Sequence, residues 1–232
     1  MSYEEVTCPS CASRHVKKNG TTANEKQKHR CLECQRQFIT SYTDQGCLKL
    51  VRDLIVPMTM NSSDIRDIAR VLAISTQTVM ETIRERAAQV AEPRVPPRSK
   101  DLDIDEFWSF IQKKSEQGWC WYGLNCATTR IAAYVLGRRT DESCRQLKGK
   151  LAACAVENFY TDDWPSYAQL LPAERHTSSK AETLNIERHN LKFRTHLKRQ
   201  HRRTICFSKS AEMHAAVIKL SVNHLNAYQH KL

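Results

Sequence analysis

Apolar positions recur at helical spacing in the first half of the chain and at strand spacing through much of the second. From Gly46 to Pro57, Leu48, Val51 and Ile55 form a short helical stripe that the proline is expected to end. Ile65, Ile68, Ala69 and Leu72 then fall at i, i+3, i+4 and i+7, which predicts a second helix capped by Ser62 or Ser63. A tight Ala73-Ile74-Ser75 turn leads into a third helix with Val79 and Ile83 inward. Short helix, tight turn, then a helix opening on Thr76, Gln77 and Thr78 is the helix-turn-helix pattern, although many such turns carry glycine where Ala73 sits. In that module the polar start of the last helix enters the major groove, where Gln and Thr reach base edges. Three helices that merely pack together are the alternative.

Pro93, Pro96 and Pro97, with Arg94, Arg98 and Lys100, predict a stiff basic linker over residues 93–100. Beyond it the pattern turns α/β. Leu102–Lys113, Trp119–Cys126 and Ile131–Gly137 are expected strands, the last two joined by Ala127–Arg130. Thr140, Asp141 and Glu142 open a helix with Cys144, Leu147 and Leu151 on its apolar face. Val156–Thr161 fits a buried strand, and Ile186, Phe193 and Leu197 mark a long late helix. A last amphipathic helix carries Met213, Val217, Leu220 and Leu225. Three strands, a helix, a strand and a late helix fit a ribonuclease-H-like mixed sheet, and other α/β folds as well.

Ten cysteines change the picture at the N-terminus. Cys8-Pro9-Ser10-Cys11 and Cys31-Leu32-Glu33-Cys34 are two C-x2-C knuckles, the ligand set of an all-thiolate tetrahedral zinc site with no open position. The expected role is structural; a redox C-x-x-C is the rival, but no βαβ pattern surrounds either pair. The loop between the knuckles is basic, with Lys17 and Lys18 as expected phosphate contacts. Cys47, Cys120, Cys126, Cys144, Cys154 and Cys206 read as small buried hydrophobes.

Of the net +11, residues Arg188–Leu232 hold +9, since 10 Lys/Arg there face Glu212 alone. Charge concentrated in this way points to a polyanion partner; a solubilising tail is the plainer alternative. Arg188, Lys192, Arg194, Lys198, Arg199, Arg202 and Arg203 are the expected contacts, with His196 and His201 among them. The start of the chain lacks an apolar run and no segment is apolar enough to span a bilayer, so a soluble, intracellular protein is expected.

Three acids fall where chemistry is done. Alternation places Asp103 and Asp105 on one strand face and Leu102 and Ile104 on the other. Asp162, with Asp163 beside it, ends the later strand, and Glu187 sits on the late helix with Arg194 and Lys198 on its stripe. Carboxylates from separate elements can hold two divalent ions at a phosphodiester, but surface acids at strand ends are common. Trp108, Trp119, Trp121 and Trp164 are candidates for stacking on a flipped base, with Trp119 and Trp121 read as core and Trp164 as the one beside the second Asp.

Asp105-Glu106-Phe107-Trp108, Leu136-Gly137-Arg138-Arg139-Thr140 and Thr161-Asp162-Asp163-Trp164-Pro165-Ser166-Tyr167 are similar to motifs of the insertion-sequence-1 transposases. So are Ile186-Glu187-Arg188-His189-Asn190-Leu191 and Phe207-Ser208-Lys209-Ser210. The ribbon and the helix-turn-helix come in that family's order, so the resemblance covers nearly the whole chain. It implies a DDE transposase of several domains. These are a zinc ribbon (1–42), an all-α helix-turn-helix module (43–92), the linker (93–100) and an α/β ribonuclease-H-like catalytic domain with a mixed sheet and basic C-terminal helices (101–232).

By position, Asp105, Asp162 and Glu187 are the implied catalytic triad and the ligands of Mg2+ or Mn2+, with Arg194, seven residues after the glutamate, as the basic partner. Asp163 stands where glycine is expected, so it is an alternative second ligand. The implied partner is double-stranded DNA, both element ends and target, bound by at least a dimer in a bacterial-type cytoplasm at the nucleoid. A non-catalytic DNA-binding regulator would use the same reading modules and tolerate loss of the acids. A ribonuclease-H-type nuclease would not need two of them.

Overall fold

In the computed structural model, which describes residues 6–42, 44–178, 184–201, 203 and 205–228, the chain begins with a three-stranded antiparallel sheet. Its strands run in the order β1 (Val16–Thr21), β2 (Gln27–Cys31), β3 (Gln37–Ile39). Cys8, Cys31 and Phe38 are its buried apolar residues, with Val6 and Val16 against them. This sheet lies in the first of two compact units, Met1–Val51 and Arg52–Leu232.

At the boundary starts α1 (Lys49–Met60), followed by α2 (Ile65–Val71) and α3 (Thr76–Gln89). Pro57 does not end α1 as expected. The ring removes one backbone bond, yet Ile55, Thr59 and Met60 bury the face around it, and Thr59 donates its hydroxyl to the Ile55 carbonyl at 2.8 Å. Asp64, rather than Ser62 or Ser63, caps α2, its carboxylate accepting from the backbone N–H of Arg66 and Asp67 at 2.8 Å each. Ala73 takes the left-handed conformation, φ 52°, in the position where glycine was expected. Ser75 caps α3, and Val79 and Ile83 are fully buried.

The second half forms a five-stranded mixed sheet in the order β6-β5-β4-β7-β8. The strands are β4 (Arg98–Ile111), β5 (Lys113–Asn125), β6 (Arg130–Gly137), β7 (Ala155–Thr161) and β8 (His176–Ser178). The first three pair antiparallel, whereas β4–β7 and β7–β8 are parallel. The parallel step needs a crossover, which α4 (Asp141–Leu151), capped by Thr140, provides. After β7 come α5 (Pro165–Leu170), then α6 (Leu184–His196) and α7 (Ala211–Tyr228). Strand β4 starts at Arg98, so the last residues of the expected linker belong to the sheet. The late helix stops at His196; Leu197 is buried but lies outside it, leading into a 3-10 turn at Lys198–Gln200.

Alternation along the strands feeds two cores. Leu102, Ile104 and Trp121 pack with Leu147, Leu151 and Tyr167 of α4 and α5. Phe107, Tyr122 and Leu124 face the other way. They join one cluster with Phe193 of α6, Val217 and Leu220 of α7, and Val79 and Ile83 of α3. Cys120, Cys144 and Cys154 are buried as expected; Cys47 is exposed and Cys126 and Cys206 are half-buried, because each lies at an element's edge or in a connection. No helix among the described residues is long and apolar enough to cross a membrane.

Candidate active site and metal centre

Parallel pairing of β4 with β7, in the register Asp103↔Tyr160, carries Asp105 to the end of β7, where Asp162 follows the last strand residue. Carboxylate oxygens of Asp105, Glu106 and Asp162 lie within 4.8 Å of one another. They open on a cleft of about 590 Å³, also lined by Trp108, Trp119, Arg139, Glu187, Asn190 and Arg194. Glu187 and Arg194 reach the same cleft from α6 because seven residues are nearly two helical turns, which puts both on one face. Glu187 is exposed and outside the close trio; Glu106 is the third acid within it.

Each carboxylate of the trio is held. Asp105 accepts from the Glu106 backbone N–H through Oδ1 at 2.7 Å and from Asn190 Nδ2 through Oδ2 at 2.5 Å. The Tyr122 hydroxyl, within reach of Asn190 Oδ1 (3.0 Å) and the Ile186 carbonyl (3.1 Å), fixes the amide in turn. Asp162 Oδ1 accepts from the Trp164 backbone N–H at 3.0 Å. Asp163 is bonded to the Ser178 hydroxyl instead and lies outside the trio, so Asp162 is the acid this cleft receives. Glu106 accepts from Arg139 on Oε1 and from the Tyr167 hydroxyl on Oε2.

Burial, with Glu106 beside it, pushes the Asp105 carboxyl up to about 7, and burial likewise raises that of Glu106. Three acids crowded out of water with one neighbouring guanidinium form a site short of positive charge. A hard divalent cation suits the oxygens of Asp105 and Asp162, whereas both Glu106 oxygens are taken by Arg139 and Tyr167.

In the first unit, Sγ atoms of Cys8, Cys11, Cys31 and Cys34 also gather within 4.8 Å. The pairs Cys8–Cys34 and Cys11–Cys31 stand 3.5 and 3.6 Å apart. Tetrahedral thiolate ligands about 2.3 Å from one ion are about 3.8 Å from each other, so the four fit a single ion. Burial opposes ionisation of Cys8, but the backbone N–H groups of Ser10 and Cys11 and the neighbouring sulfurs outweigh it and bring the thiol down to about 6.

The expected nucleic-acid contacts are scattered over both units. Lys17 and Lys18 are exposed on β1. Thr76 and Gln77 are exposed and Thr78 half-buried on the first turn of α3, where Gln77 Nε2 donates to Glu81 at 2.6 Å. Arg188, Lys198 and Arg203 are exposed, and Lys192 and Arg194 half-buried. Arg199 turns inward to Asp64 and Cys206, burial lowering its guanidinium from the ordinary value. Arg202 lies outside the described residues. Sequence reasoning assigned no role to Glu106, Arg139 or Tyr167, placed Asn190 with His189 on a helix face near DNA or in a packing or capping role, and read Trp119 as core although the indole is half-buried in the cleft wall. Arg139 and Tyr167 stood in quoted motifs, but nothing in their spacing showed that they converge on Glu106.

A family model described as IS1 transposase matches residues 101–229. The insertion element iso-IS1n protein InsB of Shigella dysenteriae is 45% identical over 116 residues, 50% of this chain and 88% of that one. The IS1 protein InsB of Shigella flexneri is 39% identical over 124 residues, 53% and 95% of the two chains. The IS1 9 protein InsB of Escherichia coli (strain K12) is 34% identical over 148 residues, 62% and 89%. Among solved structures, a simian T-cell lymphotropic virus intasome in complex with PP2A regulatory subunit B56 gamma aligns at TM-score 0.40 and 13% identity, over 78% of this chain and 74% of that one. With the matching model covering more than half of its residues and these relatives covered nearly end to end, the chain belongs to the IS1 transposase family.

Proposed function

We propose that this transposase binds the ends of its insertion element and, with divalent metal, cuts there and joins the freed ends to target DNA. The observation that carries this reading is the meeting of Asp105 and Asp162, distant in sequence, in one cleft that Glu187 and Arg194 also line. The sheet order supports a ribonuclease-H-like catalytic domain, with the zinc ribbon and helix-turn-helix as its reading modules.

Asp105, Asp162 and Glu187 would hold two Mg2+ or Mn2+ ions, which when bound activate the attacking oxygen and stabilise the leaving one. Asn190 and the Glu106 backbone N–H orient the Asp105 oxygens. Arg194 faces the same space with a guanidinium suited to a phosphate. Water attack frees a 3′-hydroxyl, and that hydroxyl attacks a target phosphodiester, so each bond made balances a bond broken at the same phosphorus. Cys8, Cys11, Cys31 and Cys34 would hold zinc as a structural ion. Lys17, Lys18, Thr76–Thr78, Arg188, Lys192, Arg194, Lys198 and Arg203 would contact DNA, whereas Arg199 faces inward, and joining two ends calls for at least a dimer.

Incubation of the chain with duplexes carrying candidate element ends and Mg2+ or Mn2+ tests this. The expected product is a nick at the 3′ end of the element, lost in Asp105→Asn, Asp162→Asn and Glu187→Gln. Wild-type rates in any of the three remove that residue from the site; metal-independent action insensitive to all three leaves a DNA-binding regulator.

A further inference from the structure

The acidic cleft has a second arginine besides Arg194, and its surroundings are unlike those of a surface ion pair. Arg139 follows β6 and lies just before Thr140, the cap of α4. Its Cζ stands 5.1 Å from the ring centre of Trp119 and 5.2 Å from that of Trp164. One edge of the guanidinium is anchored, Nε and Nη2 contacting Glu106 Oε1 at 2.8 and 2.6 Å. Among the described residues the Nε bond is its one hydrogen bond and Nη2 makes an ion-pair contact with the same oxygen, which leaves Nη1 for another acceptor. The anchor is itself fixed, since Glu106 Oε2 accepts from the Tyr167 hydroxyl at 2.5 Å.

Exposure separates the two members of the pair. The Glu106 side chain is 2% exposed and that of Arg139 38%, in the wall that also holds Asp105 and Asp162. A pair whose work is only to neutralise a buried acid has no reason to leave its cation in the cleft. Four acids line this space, so a DNA phosphate entering it meets repulsion that Arg139, from the segment after β6, and Arg194, from α6, offset. Two indoles and a carboxylate hold the fork in one orientation, which reduces the entropy lost when it takes a phosphate.

Resting on the transposase reading, we propose that Arg139 binds a DNA phosphate next to the cleaved bond, with Glu106 as the positioning residue that aims it. No metal ligand is reassigned by this. The chemical group recognised is a single phosphodiester anion, independent of base sequence.

The test uses the full chain, Mg2+ and duplexes in which one phosphate at a time around the cleaved bond is a neutral methylphosphonate. For the wild type, one position is expected to lower cleavage roughly 10- to 100-fold, the scale of a charge-assisted hydrogen bond. Arg139→Gln should lose as much on unmodified DNA and nothing further with the methylphosphonate at that position, while Arg139→Lys falls between. Because Arg139→Gln leaves Glu106 buried without its counter-charge, the Arg139→Gln/Glu106→Gln pair is measured beside it by the salt dependence of end binding. Its slope of log K against log salt should be shallower than wild type by about 0.9, one phosphate contact. A penalty equal on every modified duplex, or a slope equal to wild type, overturns the proposal. A wild-type chain that never nicks an end overturns the transposase reading instead, and the binding slope still decides the role of Arg139.

Discussion

Asp105 depends on a neighbouring amide, that of Asn190. The Asn190 amide donates to Oδ2, favouring the charged carboxylate, while burial and Glu106 favour the neutral one. Loss of that donor therefore moves the Asp105 carboxyl further up. Asn190→Ala is expected to lower end cleavage roughly tenfold or more, as for one hydrogen bond to a charged group. It should also shift the acid limb of the pH–rate profile to higher pH. An unshifted limb with the same loss of rate would make Asn190 a packing residue only.

Legibility at this scale divides by mechanism. Asp105 and Asp162 were readable because strand alternation and a strand end are local properties, and the motif resemblance singled them out. Asn190 and Glu106 were not. Glu106 belongs to the face opposite Asp105 by alternation, and only Arg139 and Tyr167, brought in from other elements, hold its carboxylate beside the first acid. Long-range hydrogen bonds of this kind leave no trace in spacing.

Among the elements, α7 ties the two halves of the larger unit together. Its Met213, Val217 and Leu220 share a core with Val79 and Ile83 of α3, and Arg84 of α3 forms an ion pair with Glu212 of α7 at 2.8 Å. The periodicity of α7 and α3 was legible, but which apolar face met which was not. Pro57 shows the converse failure, a strong local stop signal overridden by the burial of Ile55, Thr59 and Met60 around it. Inside α7, His214 is buried, its Nδ1 2.9 Å from Ser208 Oγ, and burial followed by Arg199 brings its imidazole down to about 4. A histidine lowered on folding contributes stability present above its unfolded value of about 6.5 and lost as pH falls toward 4. Going from pH 7 to 4.5, that loss is about 2 kcal/mol. All four tryptophans lie in the larger unit, so urea unfolding followed by tryptophan fluorescence reports it alone. His214→Gln is expected to flatten the acid loss by about that amount; an equally steep loss in the variant would place the titration elsewhere.

Over the whole molecule the two units differ in how each is held together. Residues 52–232 bury two apolar clusters on opposite faces of a sheet. Among the described residues of 6–51 the buried apolar side chains are Cys8, Cys31 and Phe38, with Val6 and Val16 against them, too little apolar surface to offset the conformational entropy of some forty residues. Two of those three apolar residues are thiols of the four-cysteine cluster, so the core of this unit and its candidate metal site share Cys8 and Cys31. An ion held by those four sulfurs would supply the folding free energy of the small unit, as in small metal-held domains generally. Removal of the ion with a thiol-competitive chelator should melt residues 6–51, seen as loss of dispersed amide signals and rapid proteolysis after Lys17, Lys18 or Lys26. The tryptophan-detected unfolding of the larger unit should keep its midpoint. Readdition of zinc should restore the protected fragment at one ion per chain. A small unit that stays folded after the ion has been shown to leave would mean that its sheet is held by contacts other than the four sulfurs.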